Sequence, residues 1–190
     1  SRLDKGSTSF RRYAQDYGYD ETISDNHVWA SLEDREGNLW FGTQGGLNRY
    51  DRERDQFVHY MHNAQDPNSL SDDAIWDLHQ DQQGSIWVAT SGGLNKFDPA
   101  TETFTRYQAI EGDDNSLSHN WAVTLLEDSR QRLWIGTHGG GLNRYRAKSD
   151  DFVSYHRQQG LPSEVITGLL EADDGALWLS SFKGLVRFEP

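Results

Sequence analysis

Carboxylates and tryptophans recur together along this chain. Asp34, Asp81 and Asp128 each stand six residues before a tryptophan. A carboxylate in such a position could act as a general acid or base, ligate a cation, or accept hydrogen bonds within a tight turn. The pattern favours the turn role, because Asp side chains readily accept backbone N–H groups of the residues that follow them. We therefore assign no catalytic residue from these aspartates.

Metal and cofactor chemistry finds little support in the residue pattern. Calcium sites use several oxygen ligands at short alternating spacing, whereas the acidic clusters here are only pairs such as Asp72-Asp73 and Asp113-Asp114. The seven histidines do not fall at the spacing of a zinc site. The Gly-Gly pairs lie in turns and do not precede a helix, as a phosphate-binding loop would. The sequence predicts neither a metal nor a cofactor.

A second group of aromatic residues could bind a ligand by stacking. Trp29, Trp76 and Trp121 lie at or next to the start of a predicted strand, where long polar connectors end. Aromatic faces there could stack on sugar rings, and neighbouring polar side chains could bind hydroxyl groups. Packing within the core is the alternative explanation and the favoured one. The polar candidates are Asn26, Asp73 and Asn120.

Composition excludes some functions and leaves others open. The formal net charge is −12, and the basic residues form no long run, so nucleic acid is not an expected partner. The chain has no cysteine, and no apolar run reaches the length of a membrane-spanning helix. It begins with Ser1, without a signal peptide. We expect either a mature protein or a piece of a longer one, and we favour the piece.

The tryptophans also mark the elements that must position these residues. Trp40, Trp87, Trp134 and Trp178 are separated by 47, 47 and 44 residues. Each lies in a second strand that follows an alternating apolar strand and a polar turn. Two further strands come after the first three of these tryptophans, and one comes after Trp178. Such a period indicates blades of a β-propeller. The predicted fold is therefore all-β, a propeller of four blade repeats. The repeated turn and core positions are Asp34, Gly37, Trp40, Asp81, Gly84, Trp87, Asp128, Trp134, Gly175 and Trp178.

The ends of the chain do not complete a set of blades. The last repeat stops after its third strand, and residues 8–13 resemble an outer strand without a blade before it. The chain could close as a four-bladed ring, exchange strands with a second chain to form a larger ring, or be an open arc from a longer array. The predicted segments are an outer strand at 8–13 and blades at 27–60, 74–107, 121–155 and 165–188, the last without its outer strand.

These repeats resemble the two-component-regulator propeller family. The shared pattern runs from a Ser-Leu-Ser or Leu-Pro-Ser segment through Asp-x-x-Gly-x-Leu-Trp to Gly-Leu-x-x-Tyr/Phe, and it covers almost the whole chain. Ala172 replaces the turn aspartate in the last copy, and Gln131 replaces the turn glycine in the third. The resemblance implies a periplasmic sensing segment of a membrane-anchored bacterial receptor, whose output would be a histidine kinase or a diguanylate cyclase.

The resemblance leaves the ligand and the partners open. Some members of the family sense glycans, so an oligosaccharide or another small ligand is expected, together with self-association as a dimer or by strand exchange. A polysaccharide-active or lactone-active propeller enzyme is the alternative function, since lyase and lactonase propellers use similar turns. A purely structural dimerisation scaffold is the third possibility.

Overall fold

The computed structural model describes residues 2–3 and 10–190, and it contains four antiparallel sheets arranged one after another. Each sheet pairs its strands in chain order, as the blade of a propeller does. The prediction of an all-β propeller fold is confirmed. The first two sheets comprise β3 (Val28–Glu33), β4 (Leu39–Thr43), β5 (Gly46–Asp51) and β6 (Gln56–Tyr60), then β7 (Ile75–Gln80), β8 (Ile86–Thr90), β9 (Gly93–Asp98) and β10 (Thr103–Tyr107).

The remaining sheets differ in strand number. The third has four strands and the fourth has three, and a short 3₁₀ helix at Arg157–Gln159 lies between them. A two-stranded hairpin precedes the first sheet. These elements are β11 (Ala122–Glu127), β12 (Leu133–Thr137), β13 (Leu142–Arg146) and β14 (Asp151–Tyr155), then β15 (Ile166–Glu171), β16 (Leu177–Ser181) and β17 (Gly184–Phe188), and the hairpin β1 (Arg2–Leu3) and β2 (Phe10–Arg11).

The turn between the first and second strands is closed by its aspartate. The Oδ1 atom of Asp34 accepts the backbone N–H of Asn38 at 2.8 Å, and its Oδ2 atom accepts the indole N–H of Trp40 at 2.8 Å. Gly37 has a φ of 83°, a conformation that glycine adopts without a steric cost. The aspartate thus stabilises the turn and also fixes the ring of the tryptophan that enters the core.

The core consists of layers between successive sheets. Trp40 is 2% exposed, and its ring lies 5.1 Å from the ring of Phe97 in the second sheet. Ile86 and Val88 of the second sheet belong to the same buried cluster. Because large aromatic side chains remove much apolar area from water, Trp40, Trp87 and Trp134 each contribute strongly to holding their sheet against the next one.

A polar network is buried within each of the first three sheets. Asn95 is fully buried; its Oδ1 atom accepts the backbone N–H of Ser71, and its Nδ2 atom donates to the hydroxyl of Ser71. That hydroxyl also lies 2.8 Å from the hydroxyl of Thr90. The network ties the connector before the first strand to the second and third strands. Its counterparts centre on Asn48 and Asn143.

The sheets form an open arc. Inner strands touch in series, β3 with β7, β7 with β11 and β11 with β15. At the end of the series, Trp178 is 38% exposed and Leu185 is 72% exposed, whereas their counterparts Trp40 and Leu47 are buried. The fourth sheet therefore presents to solvent the face that each earlier sheet covers with its successor.

The N-terminal hairpin lies beside the first sheet. Its pairing of Leu3 with Phe10 repeats the pairing of Tyr50 with Phe57 between the third and fourth strands of that sheet. Tyr13, just beyond the hairpin, packs edge-on against the rings of Tyr50 and Phe57. Residues 8 and 9 of the predicted outer strand lie outside the described residues. Within the described part, no helix has the length and hydropathy needed to cross a membrane.

Candidate functional site

Two tryptophans of the predicted site are placed by β-bulges. The pairing of β3 with β4 shifts between Val28 and Ala30, so Trp29 is an extra residue in the inner strand. The same shift in the second sheet leaves Trp76 as the extra residue. A bulge bends its strand and re-aims the inserted side chain, and here the two rings meet across sheets at 5.6 Å with an interplanar angle of 26°.

The third tryptophan reaches the same place from a different position. Trp121 precedes β11, while the bulge of that strand falls at Val123. Its ring nevertheless lies 5.5 Å from the ring of Trp76 and stacks on His138 at 4.1 Å. The structure thus brings all three predicted tryptophans together, although their repeat positions differ.

Further rings extend this line over all four sheets. His27 stacks on Trp29 at 6.3 Å, and Phe182 contacts His138 edge-on at 5.7 Å. Sequence reasoning missed these three residues, although His138 and Phe182 both follow the last residue of a second strand, which would have signalled a common location. We name the set the aromatic row, and its members are His27, Trp29, Trp76, Trp121, His138 and Phe182.

The polar residues predicted with the tryptophans have a structural task. Each of them accepts a backbone N–H group through a side-chain oxygen. Asn26 accepts that of Gln15 at 3.1 Å, Asp73 that of His62 at 2.6 Å, and Asn120 that of Ala109 at 2.6 Å. Each bond closes the connector that leads from one sheet to the next. One oxygen of each side chain is therefore occupied in holding the loop beside the row.

The aromatic row offers apolar surface with few polar groups. Trp29 is 53% exposed, while Trp76 and Trp121 are partly buried and are stacked on their neighbours. The indole N–H of Trp76 donates to the hydroxyl of Ser91 at 2.8 Å, whereas that of Trp121 is buried without a partner among the described residues. A ligand could contact this surface through the edges of the stacked rings and through the free face of Trp29.

A histidine pair lies at one end of the row. The Nδ1 atom of His119 accepts the backbone N–H of Trp121 at 3.1 Å, and burial together with the nearby His138 lowers the pKa of His119. His119 is therefore a neutral hydrogen-bond acceptor at neutral pH. Among the described residues, no group of three or more His, Cys, Asp or Glu side chains is placed to hold a metal ion.

The fold and its repeated turn define a class of protein, a β-propeller built from Asp–Trp repeats. Three segments of the chain, residues 22–45, 69–92 and 116–139, match the two component regulator propeller family. In these three segments the chain is similar to repeats of that family. The fourth repeat, whose turn begins with Ala172, lies outside the matched segments. Comparison with curated proteins gives no significant match.

Two solved extracellular domains resemble this chain over most of its length. The extracellular domain of BT3049 from B. thetaiotaomicron, described as a hybrid two component system, is 26% identical with a TM-score of 0.78, and the match covers 94% of this chain and 27% of that one. The extracellular domain of BT4673, from the same organism and described as a one component system, is 26% identical with a TM-score of 0.75, over 87% of this chain and 24% of that one. This chain thus spans about a quarter of the length of these relatives.

A more distant structure shares only the fold. Virginiamycin B lyase from Staphylococcus aureus superposes with a TM-score of 0.62 at 13% identity, over 90% of this chain and 58% of that one. An identity this low shows a common propeller architecture, and function must be argued from side chains.

Proposed function

We propose that this chain is a segment of the extracytoplasmic sensing domain of a bacterial two-component receptor, and that it acts by binding without catalysis. The matched repeats and the two extracellular domains at 26% identity support this role. The parent receptor would be anchored in the cytoplasmic membrane with this segment in the periplasm. The propeller would supply a rigid frame whose rim and connectors vary to suit a ligand.

We further propose that the ligand is a small carbohydrate held along the aromatic row. The observation that carries this proposal is the row itself, a line of six rings contributed by four sheets. Core packing does not require Trp29 to be half exposed, since the buried layers between sheets are already filled by Trp40 and its counterparts. Apolar C–H faces of a sugar would contact the free ring surface, and its hydroxyls would meet water and the connectors.

Isothermal titration with a panel of neutral oligosaccharides tests the site. Trp29→Ala is expected to weaken binding by roughly tenfold or more, because it removes an aromatic contact worth about 1.4 kcal/mol on the affinity scale. Tyr19→Ala is the matched control, since Tyr19 is an exposed ring on a connector. Equal affinities for the two variants, or no saturable binding of any sugar, would overturn the carbohydrate site. Recovery of the sugar with altered mass would overturn the non-catalytic role.

We also propose that the chain associates with a second copy, head to tail, through the open faces of its end sheets. The exposed Trp178 and Leu185 would meet Leu39 and Phe41 of the second copy, which occupy the positions of Ile86 and Val88 at the first layer. Two four-bladed arcs would give eight blades, within the usual range of about four to eight for propellers. The association is heterologous, so closure of the ring is what prevents a filament.

Light scattering across a dilution series tests this association. A mass near twice 21.7 kDa is expected at high concentration, and Leu185→Glu should reduce it to that of the monomer. Ile110→Glu is the control, because Ile110 is an exposed apolar residue on a connector away from the end faces. A monomer at every concentration, or the same loss of mass in both variants, would refute the head-to-tail contact.

A further inference from the structure

A concave surface lies at the strand ends opposite the aromatic row. It is a groove of about 820 Å³ between the second and third sheets, in the size range of small-molecule pockets. The turn after β7, the turn after β11 and the turn after β13 form its walls. Side chains of Trp87, Leu133 and Tyr145 contribute its apolar surface.

Basic side chains are concentrated in this groove. Lys96, Arg132, Arg144, Arg146 and Lys148 line it, against Asp81 and Glu127 as the acidic residues. This excess is unexpected in a chain with a formal net charge of −12.

Both acidic residues of the groove are already committed. Asp81 accepts the indole N–H of Trp87 and the backbone N–H of Ser85, each at 2.8 Å. Glu127 accepts the backbone N–H of Gln82 at 2.9 Å across the boundary between the sheets. These bonds hold the two carboxylates to the walls of the groove, where they stabilise turns.

Three of the cations lack a carboxylate partner. Arg132 pairs with Asp128 and Arg146 pairs with Asp151, both at 2.6 Å. Within residues 10–190, Lys96, Arg144 and Lys148 form no ion pair. The Nη2 atom of Arg132 is also buried without a hydrogen-bond partner in the described part of the chain.

Comparison of the repeats shows that this excess is local. Lys96 occupies the place of Arg49 in the first sheet, and Arg49 pairs with Glu102 of the next sheet at 3.0 Å. At the groove the corresponding acid is Asp150, which instead accepts the hydroxyls of Tyr107 and Tyr145 at 2.7 and 2.6 Å. Because Asp150 accepts these hydroxyls, Lys96 is left without an ion pair within residues 10–190.

Aromatic rings hold two of these cations without neutralising them. The Lys96 ammonium lies 5.3 Å from the ring centre of Trp87, and the Arg144 guanidinium lies 5.8 Å from that of Trp134. Cation–π contacts of this kind restrict a side chain while its N–H groups stay available as donors. The groove is thus an arranged set of donors with positive charge.

We propose that this groove binds a small organic anion carrying two or more carboxylate or sulfate groups. The unpaired cations supply charge-assisted hydrogen bonds to the oxyanions, and the apolar walls contact the carbon frame of the ligand. The site is separate from the aromatic row and does not depend on the carbohydrate proposal.

Titration calorimetry at low ionic strength, with citrate and with inorganic sulfate as probes, tests the site. The triple variant Lys96→Gln, Arg144→Gln, Lys148→Gln is expected to weaken binding about tenfold or more, as for the loss of one charged hydrogen bond. The control is Arg52→Gln, Arg54→Gln, Lys183→Gln, which changes the net charge equally at exposed positions elsewhere. Binding should also weaken as salt is added. Tight binding of citrate alone would assign carboxylates, and binding of sulfate alone would assign sulfate groups.

Two results would overturn the proposal. One is the absence of saturable binding for both anions, and the other is an equal loss of affinity in the groove variant and its control. Lys148→Glu, a single change at an exposed turn residue, serves as a second variant if the triple change disturbs folding. Trp29→Ala should leave citrate binding unchanged, so that failure at the aromatic row and failure at the groove are observed separately.

Discussion

The indole N–H of Trp87 donates a 2.8 Å hydrogen bond to the Oδ2 atom of Asp81, six residues earlier. The same bond joins Trp40 to Asp34 and Trp134 to Asp128, at 2.8 and 2.7 Å. One carboxylate thereby serves a surface turn and a buried ring at once. In the fourth repeat Ala172 stands at this position, its turn is closed by backbone hydrogen bonds, and Trp178 is partly exposed.

Asp81→Ala is expected to destabilise the chain by about 1–3 kcal/mol, because it leaves the Trp87 indole N–H buried without an acceptor. Urea unfolding followed by tryptophan fluorescence measures the change. Asp114→Ala, at an exposed connector position, is the control and should alter the free energy of unfolding little. Similar losses for the two variants would show that the buried bond is not the source of the effect.

Protonation of these aspartates at acidic pH should lower the free energy of unfolding. Burial tends to raise the pKa of Asp34, but the bonds from Trp40 and Asn38 outweigh it, so the folded-state pKa is lowered from 3.8; that of Asp128 is lowered in the same way. A carboxyl with a depressed folded pKa contributes stability above its unfolded pKa, and that stability is lost as pH falls through the folded value.

We therefore expect the free energy of unfolding to fall with acidification below pH 3.8, and the Asp128→Asn variant to show a shallower decline. Denaturant titrations at a series of acidic pH values measure both slopes. An unchanged slope in the variant would contradict the assignment to Asp128.

Asp77 should have the opposite effect on the pH dependence of stability. Burial raises its pKa, even though its Oδ2 atom accepts the backbone N–H of Leu125 at 2.8 Å. Because the folded state holds the proton more tightly than the unfolded state, the stability contributed by protonated Asp77 is present below the unfolded pKa of 3.8 and is lost as pH rises through the folded value.

Asp77→Asn is accordingly expected to be more stable than the parent at pH 7, since the amide oxygen can still accept from Leu125 and the loss of the bond from Leu78 is offset by removal of the buried charge. The advantage should shrink as the pH approaches 4. Thermal unfolding at the two pH values measures it, and a variant less stable than the parent at pH 7 would show that the carboxylate is required.

Gly42→Ala tests the close approach of the first two sheets. A Cβ atom there would overlap the Cγ2 atom of Ile75. Overpacking of this kind costs about 1–3 kcal/mol, which urea unfolding detects. Ser180→Ala, at the same position of the open fourth sheet, is the control with little expected change. No difference between the two would mean that the sheets can separate slightly at no cost.

The repeated elements could be predicted from sequence, because alternating apolar residues and turn glycines act locally. The propeller fold follows from these strands and turns together with the regular spacing of Trp40 and its counterparts. The open face of the last sheet could not be predicted from local sequence, since the exposure of Leu185 depends on whether another sheet covers it. The buried network of Asn95 with Ser71 was also missed, because an Asn in a strand and a Ser 24 residues earlier give no local signal.

The aromatic row was predicted only in part for a similar reason. Trp29, Trp76 and Trp121 were recognisable as aromatic residues at connector ends. His138 and Phe182 enter from a different strand of each sheet, and only the arrangement of the sheets brings their rings to the tryptophans. Residues such as Asp73, considered there as ligand-binding groups, have an oxygen engaged in closing a connector.

The serial contact of the sheets has a consequence for how the chain loses its structure. When each unit is held only by its neighbours, opening proceeds in a nearest-neighbour manner and begins where one neighbour is missing. Amide hydrogens of β16 and β17 should therefore exchange with solvent sooner than those of β8 and β12, which have a sheet on either side. Resistance to unfolding is thus graded along the arc, with its maximum in the middle and its minimum at the edge that carries Trp178.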